Sequence, residues 1–520
     1  MKNKIINYLN IFIIFIVSFF ANFYFGSIGV FPIDSFAFFD SANFINKGFL
    51  PIRDFWTSNG FLVDLIQSVF FKLFGVSWFS YLLHPSLLNF LFALFTYQFL
   101  KKEGLNVISA LFYSVSVSLL AYPSAGVPFP DHHSLILSII SMYLLIYGFK
   151  SHKNIIWVCI PPVLFAAFLC KQIPASFFII VSFCLIIFES FLNKNFSKFL
   201  PLILSSIITL SIFILFLKFS NTDFRDFLIQ YIYFPLTIGE ERSLGLNIKS
   251  IFLKLITDFK FFLIIGLILI FEIIKEIYIR KDKINYFFDT EFIVLLVSLI
   301  AIFNQLLMKN QNIIFFILPI LLGITHIRIV KKYNKNFFLL IIIILLNIFI
   351  TTKYHYRFNI DRKFMELENI NKTILFDAKK ISPKLKGLKW TSLNKERGLN
   401  NETQLLEESI NYLRLNKGNS LIVTSYQFIL SEIDHQFYSP NRWYTNDGIS
   451  YPLNDNKFYS EYKKFFKNKL LKYGTKIIFT VGTVNDESFN FVMKKDCIRT
   501  KKINEILYEH KLLNCIINKE

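Results

Sequence analysis

The sequence predicts an α-helical polytopic membrane protein with about eleven transmembrane helices, amphipathic juxtamembrane helices and a small C-terminal α/β extracytoplasmic domain. Three observations predict it. Hydrophobic residues make up 54% of the 520, at a mean hydropathy of +0.48, above the roughly 45–50% apolar share of an ordinary globular chain. Apolar runs of about 20 residues, long enough to cross roughly 30 Å of hydrocarbon as helix, recur through the first two thirds. The last third turns polar, with short strand-like apolar runs.

The runs are Ile5 to Phe25, Trp78 to Leu100, Leu105 to Tyr122, Phe129 to Phe149, Ile155 to Cys170 and Ala175 to Phe191. Five more follow, Phe199 to Leu217, Phe259 to Ile279, Phe292 to Leu307, Ile313 to His326 and Phe337 to Ile350. Lys2 and Lys4 precede the first run and no small-residue cleavage site follows it, so it reads as a retained signal anchor. A transmembrane domain is therefore expected over 1–352, with its first outer loop at 32–77, and an extracytoplasmic domain over 353–520.

The net charge of +20 would suggest nucleic acid in a soluble chain. Here the lysines sit where the positive-inside rule places them. With the N-terminus cytoplasmic, the inner loops carry Lys101 and Lys102, Lys150 and Lys153, Lys194 and Lys198, Arg280 to Lys283, and Arg328 to Lys335. The outer loops mix both signs, and no nucleic-acid partner is expected. Cys159, Cys170 and Cys184 lie in predicted spans, where a thiol packs as a small hydrophobe. Cys497 and Cys515 lie in the outer domain, where oxidation favours a disulfide if the two meet.

The first outer loop is patterned. Phe36, Phe39, Asp40, Asn43, Phe44 and Lys47 follow three-and-four spacing, a short helix that Gly48 ends. Phe61, Leu62, Leu65, Ile66, Val69, Phe70 and Leu73 repeat it with Asp64, Gln67, Ser68 and Lys72 opposite, a helix lying in the membrane interface. Between them, Pro51 to Trp56 presents Arg53 and Asp54 beside aromatics, either as first-loop substrate contacts or as an interfacial anchor. In the tail, Ser420 to Tyr426 and Lys476 to Val481 read as strands. The dense cluster His435 to Tyr444 is either a binding loop or a packed aromatic one. No Walker motif and no GxGxxG is present, which argues against an ATP-driven pump.

Ionisable groups at the rim of a helical bundle are functional candidates. Asp34 follows the first span and is either a general base toward an acceptor hydroxyl or the N-cap of the segment after it. Asp131 opens the fourth span, so two carboxylates are available to divide proton abstraction from metal binding or acceptor orientation. His132 and His133 are adjacent and point about 100° apart on a helix, which disfavours a histidine metal site. Lys171, Lys309 and Arg242 are cations for a phosphate or pyrophosphate, or snorkelling surface residues.

Asp34 after the first span, the stretch Phe39 to Gly75 ending in Val69-Phe70-Phe71-Lys72-Leu73-Phe74-Gly75, and Asp131 opening the fourth span carry a resemblance. The pattern, strongest from Met1 to about Phe191, resembles the GT-C superfamily of polytopic membrane glycosyltransferases, including bacterial relatives of protein mannosyltransferases and aminoarabinose transferases. The resemblance implies a polyprenyl-phosphate sugar as donor and a lipid, glycan or protein acceptor at the outer face of the bacterial cytoplasmic membrane. It implies Asp34 as base, Asp131 as a second acidic or acceptor-orienting residue, and Lys171, Arg242 and Lys309 at the lipid phosphate, with inversion at the sugar carbon by analogy. Members of the family often carry two adjacent acids in this loop. Here Ser35 follows Asp34, which leaves Asp40 as the second acid or divalent-metal ligand; no cofactor is otherwise implied. The rivals are a flippase or exporter of lipid-linked saccharides, which would place polar groups near mid-membrane, and a polymerase or ligase using Arg225 and Arg242.

Overall fold

The structure is a computed structural model, and it describes residues 2–30, 32–121, 126–151, 153–244, 247–279, 288–308, 313–332, 337–361, 375–391, 398–416, 418–433, 437–445, 448–482 and 497–513. Every apolar run read from the sequence coincides with a helix. Eight of these helices are long and apolar enough to cross a membrane: Ile5–Gly26, Trp78–Glu103, Pro130–Ser151, Gln172–Leu192, Phe199–Phe219, Thr290–Leu307, Ile314–Lys331 and Phe337–Ile360. That marks a multi-pass membrane protein. The remaining three of the expected eleven fall short for separate reasons. Val107–Leu120 and Asn154–Cys170 are shorter apolar helices, and the 20-residue Lys260–Ile279 carries four charged residues.

By packing, the chain divides into two units: residues 1–25, 85–213 and 242–364 form one, and residues 26–84, 214–241 and 365–520 the other. This division differs from the expected one at 352/353 in where it puts the first loop. The first loop belongs with the tail, because its polar side chains and backbone groups find their partners there.

The first unit is the helical one. Its centre is Ile314–Lys331, 83% buried, while Phe199–Phe219 is 17% buried and presents Leu200, Ile203, Leu204, Ile207 and Ile208 outward. An apolar face of that extent is what lipid covers. Polar contacts gather at the helix ends. At one end Lys101 Nζ and Tyr97 Oη donate to Asn7 Oδ1 at 2.7 and 3.0 Å, Lys150 Nζ and Thr290 Oγ1 donate to Glu103 Oε2 at 2.5 and 2.8 Å, and Arg328 pairs with Glu291 at 3.5 Å. At the other end the Phe25 ring meets His355 at 5.0 Å, and His355 Nδ1 and Asn359 Nδ2 lie 3.1 and 3.3 Å from Leu119 O. Val107–Leu120 thus runs between the same two ends in fourteen residues.

The second unit holds a five-stranded mixed sheet. With β1 (Phe376–Asp377) and β2 (Lys389–Trp390) as a separate antiparallel pair, the sheet comprises β3 (Ser420–Thr424), β4 (Phe437–Tyr438), β5 (Ile477–Val481), β6 (Ile498–Lys502) and β7 (Leu507–Leu512) in the order β4-β3-β5-β7-β6. β3 and β5 pair in parallel, Ser420 opposite Ile477 and Thr424 opposite Val481, and the β7 partners are antiparallel. β3 is buried throughout, which is why Leu421-Ile422-Val423 is a continuous apolar run. Helix Tyr459–Lys472 covers the sheet with Tyr462, Phe466 and Leu470, spaced four apart on one face.

The first loop forms the helices Pro32–Ser35, Phe39–Asn46 and Phe61–Phe74. It is held to the tail by backbone hydrogen bonds: Asp40 N donates to Gln427 O at 3.0 Å, Trp56 N to Pro440 O at 2.6 Å, and Gly29 N to Lys389 O at 2.8 Å. The chain enters Phe61–Phe74 through Gly60, whose φ is +68°. A Cβ at Gly60 would stand 2.7 Å from the Phe38 ring. Gly60→Ala is expected to cost about 1–2 kcal/mol for the left-handed backbone alone, with more from the ring contact. Thermal melting in detergent and protease cleavage within 49–60 check this; unchanged melting would show that the turn relaxes freely.

Candidate functional site

Helix Phe61–Phe74 is partly inverted relative to a soluble helix. Asp64 and Gln67 are fully buried, together with Phe61, Val63 and Phe71, while Val69, Leu73 and Phe74 are 52%, 69% and 53% exposed, together with Lys72. Such an apolar outer edge suits contact with hydrocarbon when the buried polar groups have partners. Gln67 meets His84 at 3.0 Å, and the partner of Asp64 comes from the aromatic cluster of the tail. Arg442 forms a buried ion pair with Asp64 and donates to Asn59 O, and its guanidinium lies 4.8 Å from the Phe38 ring centroid and 5.7 Å from that of Trp443. Ser41 Oγ donates to the other Asp64 oxygen at 2.5 Å. Burial pushes the Asp64 carboxyl up to about 6, against the pull of the Arg442 charge and the Ser41 hydroxyl.

Asp40 sits beside this pair. Its oxygens accept the N–H groups of Leu430 at 3.2 Å and Ser431 at 2.9 Å. Burial pushes its carboxyl up to about 7, and those two N–H groups hold it from rising further. A cavity of about 10 Å³ opens between Asp40, Ser439, Gln427, Asn441 and Arg442, the volume one water needs. Both amide atoms of Gln427, Asn441 Oδ1 and Arg442 Nε are buried with no hydrogen-bond partner among the described residues. A polar group entering the cavity would satisfy them.

Arg53 and Asp54, read as substrate contacts or an interfacial anchor, are tied inward. Asp54 pairs with Arg53 at 2.6 Å, accepts the Leu50 N–H at 2.9 Å and the Tyr473 hydroxyl at 3.2 Å, and faces Lys469 and Lys472 at 3.7 and 3.3 Å. Burial alone would raise its carboxyl, but the Arg53 hydrogen bond, the Leu50 N–H and the Lys469 charge hold it below the ordinary value. Trp56 is turned inward as well. It is buried, with its ring 5.3 Å from Tyr462 and 6.0 Å from Phe234.

Asp34 lies half-buried inside the first turn of Pro32–Ser35. The cap position of the next helix, Phe39–Asn46, is Phe38, which overturns the N-cap reading of Asp34. Asp131 and Lys171 belong to the first unit, where Lys171 Nζ meets Asp131 Oδ1 at 2.6 Å. The carboxylate and one of the cations expected at a phosphate thus come as a pair. Lys171 stands in extended backbone between two helices, which frees its side chain to reach Asp131. Arg242 is half-buried near the end of helix Phe234–Leu244. Lys309 lies outside the described residues. Cys497 is buried and disulfide-bonded; Cys515 lies outside the described residues. His132 and His133 are both buried in Pro130–Ser151. Among the described residues no group of three His, Cys, Asp or Glu converges to hold a metal ion.

The Asp64–Arg442 pair is what sequence reading missed. Both residues stood in noted segments, Asp64 on the polar stripe and Arg442 among aromatics, but they are 378 positions apart, and no local signal joins them. No protein-family model matches the chain, and no curated protein matches it.

Two outcomes follow from these buried charges. Arg442→Met leaves Asp64 without its cation and is expected to cost about 3–5 kcal/mol, while adding Asp64→Leu should restore most of the melting temperature; equal destabilisation by single and double variants would refute the pairing. Folding raises the Asp40 pKa, so between about pH 4 and about pH 7 the native state keeps a proton that the unfolded chain has lost. Stability should therefore fall as pH rises through that window and level off above it. Asp40→Asn is expected to flatten this part of the melting-versus-pH curve, and parallel curves for the two proteins would remove Asp40 as its source.

Proposed function

We propose that this protein is a membrane glycosyltransferase of the GT-C type. It moves a sugar from a polyprenyl-phosphate-linked donor to a lipid, glycan or protein acceptor at the outer face of the bacterial cytoplasmic membrane. The observation that carries the reading is the inverted helix Phe61–Phe74. It turns an apolar edge outward and a carboxylate inward, next to a loop that bears Asp34 and is pinned to an α/β tail. Such a module suits an enzyme whose substrate lies in lipid and whose chemistry lies in water. The contacts at the two ends of the helical unit support eleven alternating spans, the two shorter helices and Lys260–Ile279 included.

In this reading Asp34 takes the proton from the acceptor hydroxyl as its oxygen attacks the anomeric carbon. The bond from that carbon to the phosphate oxygen breaks, and the polyprenyl phosphate leaves with its electron pair, inverting the centre. Within the first unit, Asp131 and Lys171 form a pair in which the carboxylate positions the lysine, a cation suited to offset phosphate charge.

The test is sugar transfer by the purified full chain, with labelled polyprenyl-phosphate sugars and mixed envelope acceptors. Asp34→Asn is expected to lower transfer by about 10²-fold or more with unchanged melting. Full activity in the variant would remove Asp34 as base. An inactive wild-type protein that moves lipid-linked saccharide across proteoliposome membranes would replace the transferase reading with transport.

A further inference from the structure

Three cations meet in the helical unit where none of the roles above needs them. Lys260 opens helix Lys260–Ile279, Lys353 lies in the last turn of Phe337–His355, and Arg357 lies in the π-turn Tyr356–Ile360 that follows. With Tyr354, Phe315 and Asp258 they line one cavity of about 50 Å³. One water occupies roughly 10–15 Å³ on this measure, so the cavity has room for a tetrahedral oxyanion.

The charge arrangement is unfavourable by itself. Lys353 and Arg357 at a helix C-terminus are favourable by the helix dipole, but Lys260 stands at an N-terminus, where a cation is unfavourable. The Lys260 and Lys353 ammonium groups are also near enough to interact directly, with the Arg357 charge felt by Lys353 as well. Among the described residues none of the three has a carboxylate within ion-pair distance, although Asp258 lines the same cavity. Three positive charges against one negative leave an excess of two.

The cations are held in place by stacking. Lys353 and Lys260 lie 5.0 and 5.8 Å from the Phe261 ring centroid, and Arg357 lies 5.4 Å from that of Phe358. Tyr354 and Phe315 stack at 3.6 Å with ring planes 11° apart, which makes a stiff wall. Among the described residues the Tyr354 hydroxyl makes a long 3.5 Å contact with Asp258 O. Lys260 and Arg357 are exposed while Tyr354 is buried, so the cavity has a charged, open mouth and an aromatic floor.

We infer that Lys260, Lys353 and Arg357 with Tyr354 form a binding site for a phosphate-ester anion. A phosphate group brings close to two negative charges and several acceptor oxygens. It neutralises the excess, accepts from both ammonium groups and the guanidinium, and relieves the repulsion between the two lysines. Neither Asp131 nor Lys171 lines the cavity, and its occupancy is measurable without any sugar transfer.

The experiment measures binding of inorganic phosphate, of a short polyprenyl monophosphate and of the uncharged polyprenol to the full chain in neutral detergent, by calorimetry and melting. A phosphate-bearing probe is expected to bind and raise the melting temperature, and polyprenol is not. Lys260→Gln and Lys353→Gln should each weaken binding at least about tenfold, whereas Lys379→Gln in the tail should not. Without ligand, Lys353→Gln should melt no lower than wild type, because a like-charge contact is removed. Binding by the polyprenyl phosphate alone assigns the site to a lipid headgroup, and binding by inorganic phosphate alone assigns it to a free anion. Failure of wild type to bind either probe, or equal binding by Lys353→Gln/Arg357→Gln, would overturn the site. A loss of unliganded stability in these variants with binding unchanged would overturn it too, and would assign the cations to the helix ends.

Discussion

A carboxylate taken out of water must be met by donors, and the second unit is organised around two such carboxylates. Asp64 and Asp40 are buried on helices of the first loop. One is answered by the Arg442 guanidinium and the other by the N–H groups of Leu430 and Ser431. Leaving either unanswered would cost several kcal/mol, which is enough to force segments almost four hundred residues apart into one body. The backbone ties from Asp40, Trp56 and Gly29, and the packing of Trp56 against Tyr462, elaborate that requirement.

The same constraint acts differently in the helical unit. Its helices satisfy their own backbone and leave apolar side chains outward; charged groups pair at the ends, where Glu103, Lys150 and Thr290 meet, while neutral polar side chains within the bundle pair with one another, as Asn347 does with Ser116 and Tyr113 with His326. Charges at these ends are paired almost wherever they approach, as in Asp131 with Lys171 and Glu291 with Arg328. Against that background Lys260, Lys353 and Arg357 beside Tyr354 differ, since among the described residues no carboxylate stands within ion-pair distance of them.

Much of the fold was legible in residue patterns. The three-and-four spacing of Phe61 to Leu73 marked a helix, and Leu421 to Val423 and Ile477 to Val481 marked strands that pair in parallel. The long apolar runs marked helices because hydrocarbon admits few other backbones. Less was legible where length and charge compete. Val107–Leu120 and Asn154–Cys170 are short and Lys260–Ile279 is charged, so among the described residues eight of the eleven runs form helices that are by themselves long and apolar enough to span.

The candidate site shows where local reading stops. Periodicity placed Asp64, Gln67 and Ser68 on one stripe, and the residue types made Asp34, Asp131, Lys171 and Arg53-Asp54 candidates, because charge near a membrane demands a reason. The sequence by itself therefore determined the membrane character, the helices of the first loop and the α/β tail. Each follows from contacts between neighbours a few residues apart or from the solvent a segment requires. Only the tertiary structure decided that Asp64, Gln67 and Ser68 of the polar stripe are buried while Lys72 is exposed, that Asp64 meets Arg442, that Asp54 is tied to Lys469 and Lys472, and that Lys260 and Lys353 line one cavity. Those pairings depend on which distant segments share a cavity, and no periodicity within a segment carries that information.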